Sequence, residues 1–352
     1  MLSDLSSLLY IDLPVELITV EILRVLATHC PNLQHLTLDF SSAMQLHDFN
    51  ELNEFPCNLK RLCICLSEVI FLEGFMRRIY GFLSSLNTLH VIGTMEKSSA
   101  STSEETDSYE TINISKIKAQ TPNLRVINLY GVRFVDDTHI EAIASGCLHL
   151  QCLGLNFCVK ITGTALKTLI NRCAKLKCLL LQNTGENLVD TYDTVARTNL
   201  SSTGLDIQDA AMLAVDWSNS QLTELDLSST ELTEQGLLGL FSLMPTLTYL
   251  AVPFCDGFTD QVLNLLIDRG KLHGCRALDL SNTVNLTVDA VHRLLTSTPA
   301  MTSTLEGLSY TGQDAITEQF WIDSIKYFHR LKYETPMFVF IVHHGFSSPV
   351  EF

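Results

Sequence analysis

Apolar residues recur along this chain with one fixed spacing. The pattern is Leu-x-x-Leu-x-Leu, with a few aliphatic or aromatic replacements, and most successive copies start about 26 residues apart. Alternation of this kind over a short run is typical of a β-strand with one buried face. The copies begin at Leu33, Leu59, Leu86, Leu124, Leu150, Leu176, Leu222, Leu247, Cys275 and Leu305, with a weaker one at Leu5, Leu8 and Tyr10.

The second half of each copy has apolar residues at helical spacing. Ala165, Leu166, Leu169 and Ile170 are one example, so the repeated unit is strand, turn and helix. Stacked units of this kind place their strands in one parallel sheet and their helices outside it. The sequence therefore predicts an α/β fold, a leucine-rich-repeat solenoid (horseshoe) with a concave parallel β-sheet and convex helices.

The repeats predict a single domain over residues 1–330. Two departures from the period indicate insertions, near residues 96–110 and 186–202, and the first has the polar composition of a loop. Residues 331–352 lack the repeat pattern and predict an irregular C-terminal tail. This tail either caps the last repeat or is an ill-packed end.

Small, weakly polar residues stand at two fixed places in the unit. Cys30, Cys147 and Cys173 each precede the first leucine of a strand by three residues, where the chain passes from helix to strand. Others follow that leucine by eight, where their side chains can bond backbone groups that the sheet leaves unpaired. This second set is Ser41, Ser67, Cys158, Thr184, Thr230, Cys255 and Thr283.

The unit resembles the cysteine-containing leucine-rich repeats of F-box/LRR proteins, which read roughly C-x-x-L-x-x-L-x-L-x-x-C-x-x-I-T-D. Residues 150–173 (LQCLGLNFCVKITGTALKTLINRC) match almost throughout. The resemblance implies that the repeats capture a protein substrate for a cullin-type (SCF) E3 ubiquitin ligase in ubiquitin-dependent protein degradation. In that family an N-terminal F-box binds the Skp-type adaptor that links it to the cullin.

Residues 13–27 depart from that family pattern. Leu13-Pro14-Val15-Glu16-Leu17 is similar to the opening of an F-box, but a repeat strand already begins at Leu33, which leaves too little chain for that domain. Helical periodicity explains the segment equally well as the convex helix of a first repeat, and we favour this interpretation. The chain is then expected to be a fragment or short isoform whose F-box, with its adaptor and cullin contacts, lies upstream.

Composition limits the partners. The 352 residues carry a formal charge of −16, with a pI near 5.0, and a negative surface repels phosphate backbones, so we expect no nucleic acid. The N-terminus lacks the charged start and apolar core of a signal peptide, and apolar runs are too short to cross a bilayer. A cytoplasmic protein, with the nucleus as an alternative, and no membrane association are expected.

The sequence contains no motif for catalysis or for a cofactor. Gly-x-Ser-x-Gly, P-loop and Gly-x-Gly-x-x-Gly patterns are absent, so we expect neither enzyme activity nor a cofactor. Cys63 and Cys65 suggest a metal site, but zinc sites use four clustered ligands and no second pair accompanies these two. The expectation is therefore two cysteines on the concave face with no metal.

The residues between the apolar strand positions point into the concave face. Rigid aromatics beside adaptable amides are enriched in interfaces, and acidic residues in the C-terminal repeats favour a basic segment of a partner. We predict a partner-binding surface of Tyr130, Asn156, Gln182, Glu224, Asp226, Tyr249 and Asp279. The alternative function is a free-standing scaffold or enzyme inhibitor that has no ubiquitin-ligase link.

Overall fold

The computed structural model describes residues 5–42, 48–66, 73–93, 121, 123–132, 135–158, 160–182, 209–312, 318–325 and 327. These belong to two compact units, Met1–Lys160 and Ile161–Phe352. Both predicted insertions, at residues 96–110 and 186–202, and the predicted tail at 331–352 lie outside the described residues. The single domain over residues 1–330 stays a prediction.

Each unit contains a parallel β-sheet whose strands pair in chain order. In the first unit the paired strands are β1 Tyr10–Pro14, β2 His35–Asp39, β3 Arg61–Cys65, β4 Thr88–Ile92, β5 Val126–Tyr130 and β6 Cys152–Gly154. In the second they are β7 Cys178–Leu180, β8 Glu224–Asp226, β9 Tyr249–Ala251, β10 Ala277–Asp279 and β11 Gly307–Ser309.

Short helices connect most of the strands. In the first unit they are α1 Val20–His29, α2 Glu73–Ile79 and α3 Asp137–Gly146, with 3-10 turns at Val15–Leu17 and Tyr80–Phe82. In the second unit they are α4 Leu166–Arg172, α5 Asp209–Leu213, α6 Glu234–Leu243, α7 Asp260–Asp268, α8 Val288–Ser297, α9 Pro299–Thr302 and α10 Glu318–Ile325, with a 3-10 turn at Trp217–Asn219. Strand, turn and helix thus recur as the repeat predicts, and the fold class is confirmed: an α/β leucine-rich-repeat solenoid.

The second apolar position of the pattern forms a continuous buried row in each sheet. In the second unit Leu179, Leu225, Leu250, Leu278 and Leu308 stand in register on neighbouring strands, and each is at most 2% exposed. Burying one such side chain contributes about 1.5–3 kcal/mol, so these rows provide much of the core energy.

The predicted cysteines at the helix-to-strand junction end their helices. The amide of Cys147 donates to the carbonyl of Ile143 at 2.8 Å, and the carbonyl of Cys147 accepts the amide of Leu150 at 2.9 Å. Cys173 makes the equivalent pair of bonds, and Cys30, Cys147 and Cys173 are all at most 5% exposed. A small buried residue therefore fits a turn in which its own backbone makes both hydrogen bonds.

In the second predicted set, Thr230, Thr283, Cys158 and Cys255 bond backbone carbonyls after the strands, whereas the hydroxyl of Ser41 donates to the carboxylate of Asp39 at 2.6 Å. The hydroxyls of Thr230 and Thr283 donate to Leu227 and Leu280 at 2.8 and 2.6 Å, each within one repeat. The thiols of Cys158 and Cys255 reach the preceding repeat, at Leu129 and Leu227. Ser67 and Thr184 lie outside the described residues.

The first repeat corrects the sequence prediction. Tyr10 pairs with His35 and Leu13 with Leu38, so the triplet in register with the next repeat is Leu8, Ile11 and Leu13 rather than Leu5, Leu8 and Tyr10. Leu13 is buried, and Leu8 and Ile11 are half-buried. Both triplets fit the template, and only the pairing with β2 distinguishes them. Residues 13–14 end β1, residues 15–17 form a 3-10 turn, and residues 20–27 lie in α1. The segment therefore belongs to the first repeat, but only its second part is an α-helix.

Helices of neighbouring repeats in the second unit are coupled at their N-termini. The carboxylate of Asp260, the first residue of α7, accepts the amide and hydroxyl of Thr287 at 2.8 and 2.7 Å. Thr287 is the N-cap of α8, and its hydroxyl also accepts the amide of Ala290. Asp209 bonds Thr233, the N-cap of α6, in the same way, so this capping joins successive helices.

Candidate protein-binding face

One face of each sheet is not covered by the leucine core, and we call it the open face. Alternation along the strands assigns residues to it, and the burial pattern of β2 and β3 alternates accordingly. In the second unit the open face consists of Cys178, Leu180, Gln182, Glu224, Asp226, Ser228, Tyr249, Ala251, Pro253, Ala277, Asp279, Ser281, Gly307, Ser309 and Thr311. It includes three carboxylates and no Lys, Arg or His.

The seven predicted binding residues lie on or beside these open faces, but with unequal exposure. Gln182, Glu224, Tyr249 and Asp279 are half-buried in the second unit, and Tyr130 is half-buried in the first. Asn156 and Asp226 are only 6% and 1% exposed, which leaves little of either side chain for a partner to contact.

Tyr249 is the centre of an acidic cluster in the second unit. It stands in register between Glu224 and Ala277. Burial raises the pKa of its phenol, and the negative charges of Asp226 and Asp279 raise it further, with smaller effects from Cys178 and Glu224. The phenol therefore keeps its proton at neutral pH and can donate a hydrogen bond. A positive charge placed beside it is attracted by both the carboxylates and the ring.

Two of the predicted acidic residues also close turns. The Oδ1 atom of Asp226 accepts the amide of Ser228 at 2.9 Å, and that of Asp279 accepts the amide of Ser281 at 3.0 Å. Asp39 bonds the amide of Ser41 in the same way. Sequence reasoning missed this structural role, although Asp-x-Ser recurs at one place in two repeats, at Asp226 and Asp279, and two residues later in a third, at Asp39, which is a signal for it.

In the first unit two aromatic residues lie together near the end of the sheet. The rings of Tyr130 and Phe157 have centroids 5.0 Å apart, and burial raises the pKa of the Tyr130 phenol. The carbonyl of Asn156 accepts the amide of Gly131 at 2.8 Å, so the backbone of Asn156 joins successive repeats. Tyr130 and Phe157 supply the rigid aromatic contact area that interfaces favour.

The residue that follows the open face has a left-handed backbone in many repeats. Gly131 and Gly312 adopt φ of 65° and 83°, and Phe157, Ser229, Phe254 and Asn282 adopt φ between 55° and 59°. Glycine accepts this conformation without strain, whereas a phenylalanine side chain disfavours it. Phe254 is also 41% exposed, so this residue combines an unfavourable backbone conformation with an exposed aromatic ring.

Within the part of the chain that the structure describes, no three or more His, Cys, Asp and Glu side chains are grouped so as to hold a metal ion. None of the described helices combines the length and the apolar character needed to cross a membrane.

No protein-family model matches this chain. Among solved structures, one chain of the crystal structure of the Rad7 and Elc1 complex in yeast is similar to it, with 15% sequence identity and a TM-score of 0.49. The match covers 85% of this chain and 74% of that one. Similarity at this level says nothing about function, and the fold follows from the strands and helices themselves.

Proposed function

We propose that this chain is a protein-binding leucine-rich-repeat module, the substrate-recognition part of an SCF (cullin-type) E3 ubiquitin ligase that acts in ubiquitin-dependent protein degradation. It works by presenting its open face to a protein substrate and contributes no catalytic residue. The location that goes with this role is the cytoplasm, with the nucleus as the alternative.

The observation that supports binding is the environment of Tyr249. A protonated phenol stands beside the carboxylates of Glu224, Asp226 and Asp279, on an open face whose described residues include no cationic side chain. Tyrosine is enriched among the residues that dominate interface energies, and complementary charge selects the partner and speeds its association. The second unit is therefore suited to a basic segment of the substrate, with Glu224 and Asp279 as the accessible carboxylates.

The ligase link is supported by a different observation, the resemblance of residues 150–173 to F-box/LRR repeats. It is an argument from analogy, since one fold serves many functions. In this role the Skp-type adaptor and the cullin bind an F-box outside the repeats, and the repeats bind only the substrate.

Affinity capture tests the binding role. The wild type is compared with a Tyr130→Ala, Tyr249→Ala double variant, and Leu243→Ala serves as a control because its side chain is 48% exposed on α6, away from the open face. We expect the double variant to lose a partner that the wild type and the control both retain. If a double variant with a normal far-UV circular dichroism spectrum captures the partner as the wild type does, these tyrosines are not part of the binding site.

The ligase role needs a separate test. We expect the captured partner to have a longer half-life in cells depleted of this protein, and the full-length product to co-purify with the Skp-type adaptor and a cullin. The alternative, a free-standing scaffold or inhibitor, predicts stable inhibition of the partner with no change in its half-life and no adaptor in the complex.

A further inference from the structure

Strand β1 forms an edge of the sheet in the first unit. The amide of His35 on β2 donates to the carbonyl of Leu9 at 3.0 Å. Because alternate residues of a strand direct their backbone groups to the same neighbour, Ile11 also faces β2, whereas the backbones of Tyr10 and Asp12 face the edge. Among the described residues no strand pairs with this side of β1. The edge thus offers two amides and two carbonyls to a further strand.

Apolar side chains are exposed at this edge. Leu9 and Tyr10 are 55% and 54% exposed. Ile11 is half-buried, whereas Leu36, its register partner on β2, is only 1% exposed. The apolar row is therefore less covered at β1 than at β2, and the apolar end of a solenoid needs a cover. Leu9 stands where the later repeats have a polar residue, namely Gln34, Lys60, Asn87, Arg125, Gln151, Lys177, Thr223, Thr248, Arg276 and Glu306.

The order of residues in β1 suits antiparallel pairing with a second copy of the same strand. If Ile11 lies opposite Ile11 of the second copy, Tyr10 of each copy lies opposite Asp12 of the other. Both residues have backbone groups that face the edge, so each Tyr10–Asp12 pair exchanges two hydrogen bonds and no edge group is left over. Their side chains are also compatible, since the hydroxyl of Tyr10 donates to the carboxylate of Asp12 within one chain.

Neighbouring registers are less favourable. Pairing Asp12 with Asp12 of the second copy places like charges directly opposite each other, and it brings Pro14, which has no amide, opposite Tyr10. Pairing Tyr10 with Tyr10 brings Asp12 opposite Leu8, whose amide is already bonded within its own turn. Only the pairing about Ile11 uses every edge group and covers the exposed part of both Ile11 side chains.

We propose that β1 is a dimerisation edge, at which two copies of this chain pair their β1 strands in antiparallel orientation about Ile11. This inference goes beyond the proposed function, because pairing at the edge leaves the open faces available to a substrate. The contact consists of one short strand pair and its flanking apolar side chains. A small interface of this kind gives a weak dimer whose population depends on protein concentration.

The first test is the mass of the full chain over a concentration series in sedimentation equilibrium. The wild-type mass should rise from 39.3 kDa toward twice that value. Tyr10→Asp should remain monomeric, because it places a carboxylate opposite Asp12 in both pairs. Tyr10→Lys should still dimerise, since its ammonium group lies opposite the same carboxylate. Adding Asp12→Lys to Tyr10→Asp exchanges the charges and should restore the dimer.

The control is Leu148→Asp, which adds a carboxylate at a side chain that is 57% exposed on the turn before β6 and should leave the dimer unchanged. All of these variants change exposed side chains, and an unchanged thermal unfolding midpoint verifies that each is folded. The proposal is overturned by a wild type that stays monomeric at its highest soluble concentration. It is also overturned if Tyr10→Asp and Tyr10→Lys behave alike or if the double variant stays monomeric.

A second measurement tests the register by oxidative cross-linking. The two Ile11 residues form a pair without mutual hydrogen bonds, whose Cα atoms lie about 4.5 Å apart, within the range of about 4.4–6.8 Å that a disulfide spans. With the exposed Cys57 replaced in Cys57→Ser, Ile11→Cys should form an intermolecular disulfide when diamide is added. Asp12→Cys should not, because its copy lies on the diagonal, about 7–8 Å away. A cross-link at position 12 and none at position 11, read on non-reducing gels, would show that the assignment is wrong.

Discussion

The thiol of Cys158 donates a hydrogen bond to the carbonyl oxygen of Leu129, which lies 3.0 Å away and one repeat earlier in the chain. Cys255 makes the same contact with Leu227, at 2.7 Å. Both cysteines are fully buried. The carbonyl of Leu227 also accepts the amide and the hydroxyl of Thr230. The repeated cysteine thus joins neighbouring repeats.

We expect Cys158→Ala to destabilise the protein by about 1–2 kcal/mol, because it removes a buried donor and leaves a small cavity. Cys158→Thr should cost less, since threonine occupies the equivalent position at Thr230 and Thr283 and bonds a backbone carbonyl there. Urea denaturation followed by circular dichroism measures both. Cys57→Ala, at an exposed cysteine, is the control and should change little. Equal losses from Ala and Thr at position 158 would show that packing, not the hydrogen bond, matters.

The coupling between Asp260 and Thr287 gives a second prediction. Asp260→Ala removes the acceptor of the Thr287 amide and hydroxyl, and we expect a loss of about 1–2 kcal/mol in the free energy of unfolding, as for the removal of a helix cap. Asp289→Ala is the matched control, because this exposed carboxylate lies in the first turn of α8. That carboxylate should contribute only about 0.3–1 kcal/mol through the helix dipole. Similar losses at both positions would mean that the carboxylate of Asp260 acts only through the dipole.

The sequence predicts the repeat well because the residues that define its period are apolar strand residues that all pack in the core. Every leucine of the pattern from Leu33 onward that is described is buried. Those at the second position stand in register, since a one-residue slip would turn the apolar residues of a strand to its other face. The first repeat was misplaced by three residues because Leu8 belongs to both candidate triplets. Only the pairing with its partner strand shows which triplet is in register.

The binding residues are harder to predict for a related reason. A carboxylate on the open face of a strand can face solvent or turn back to close the next turn, and residue type and alternation are the same in both cases. Asp226 takes the second role and is 1% exposed, whereas Glu224, two residues earlier on the same strand, remains half-buried. The bond to the serine does not by itself bury the carboxylate, because Asp279 accepts the amide of Ser281 in the same way and remains half-buried.

Asp136, the N-cap of α3, gives a pH prediction. Burial opposes its ionisation, but hydrogen bonds from Thr138 and His139, with the charge of His139, together lower its pKa to about 2 from 3.8. A carboxyl whose pKa is lower in the folded state contributes stability that is complete above about pH 4 and is lost as the pH falls toward 2. We expect Asp136→Asn to keep the cap but to lose this dependence.

The measurement is the free energy of unfolding from pH 6 to pH 2 for the wild type and Asp136→Asn. The difference between them should be constant above pH 5 and shrink between about pH 4 and 2. Asp137→Asn, at the first residue of α3, is the control for a nearby charge. A difference that does not change with pH would show that the folded and unfolded states bind the proton of Asp136 equally.

The left-handed backbone at Phe254 allows a prediction in which hydrophobicity and conformation have opposite effects. Asparagine tolerates this conformation and occupies it at Asn282, with φ of 55°, whereas a β-branched residue is strongly disfavoured there. Phe254→Asn should therefore be more stable than Phe254→Val by about 1 kcal/mol, although valine is the more apolar residue.

Exposed Val284, which lacks a positive φ, is the control site. At that site the wild type should be as stable as Val284→Asn or more stable. If valine is the better replacement at position 254 as well, the backbone in solution is not left-handed at this residue.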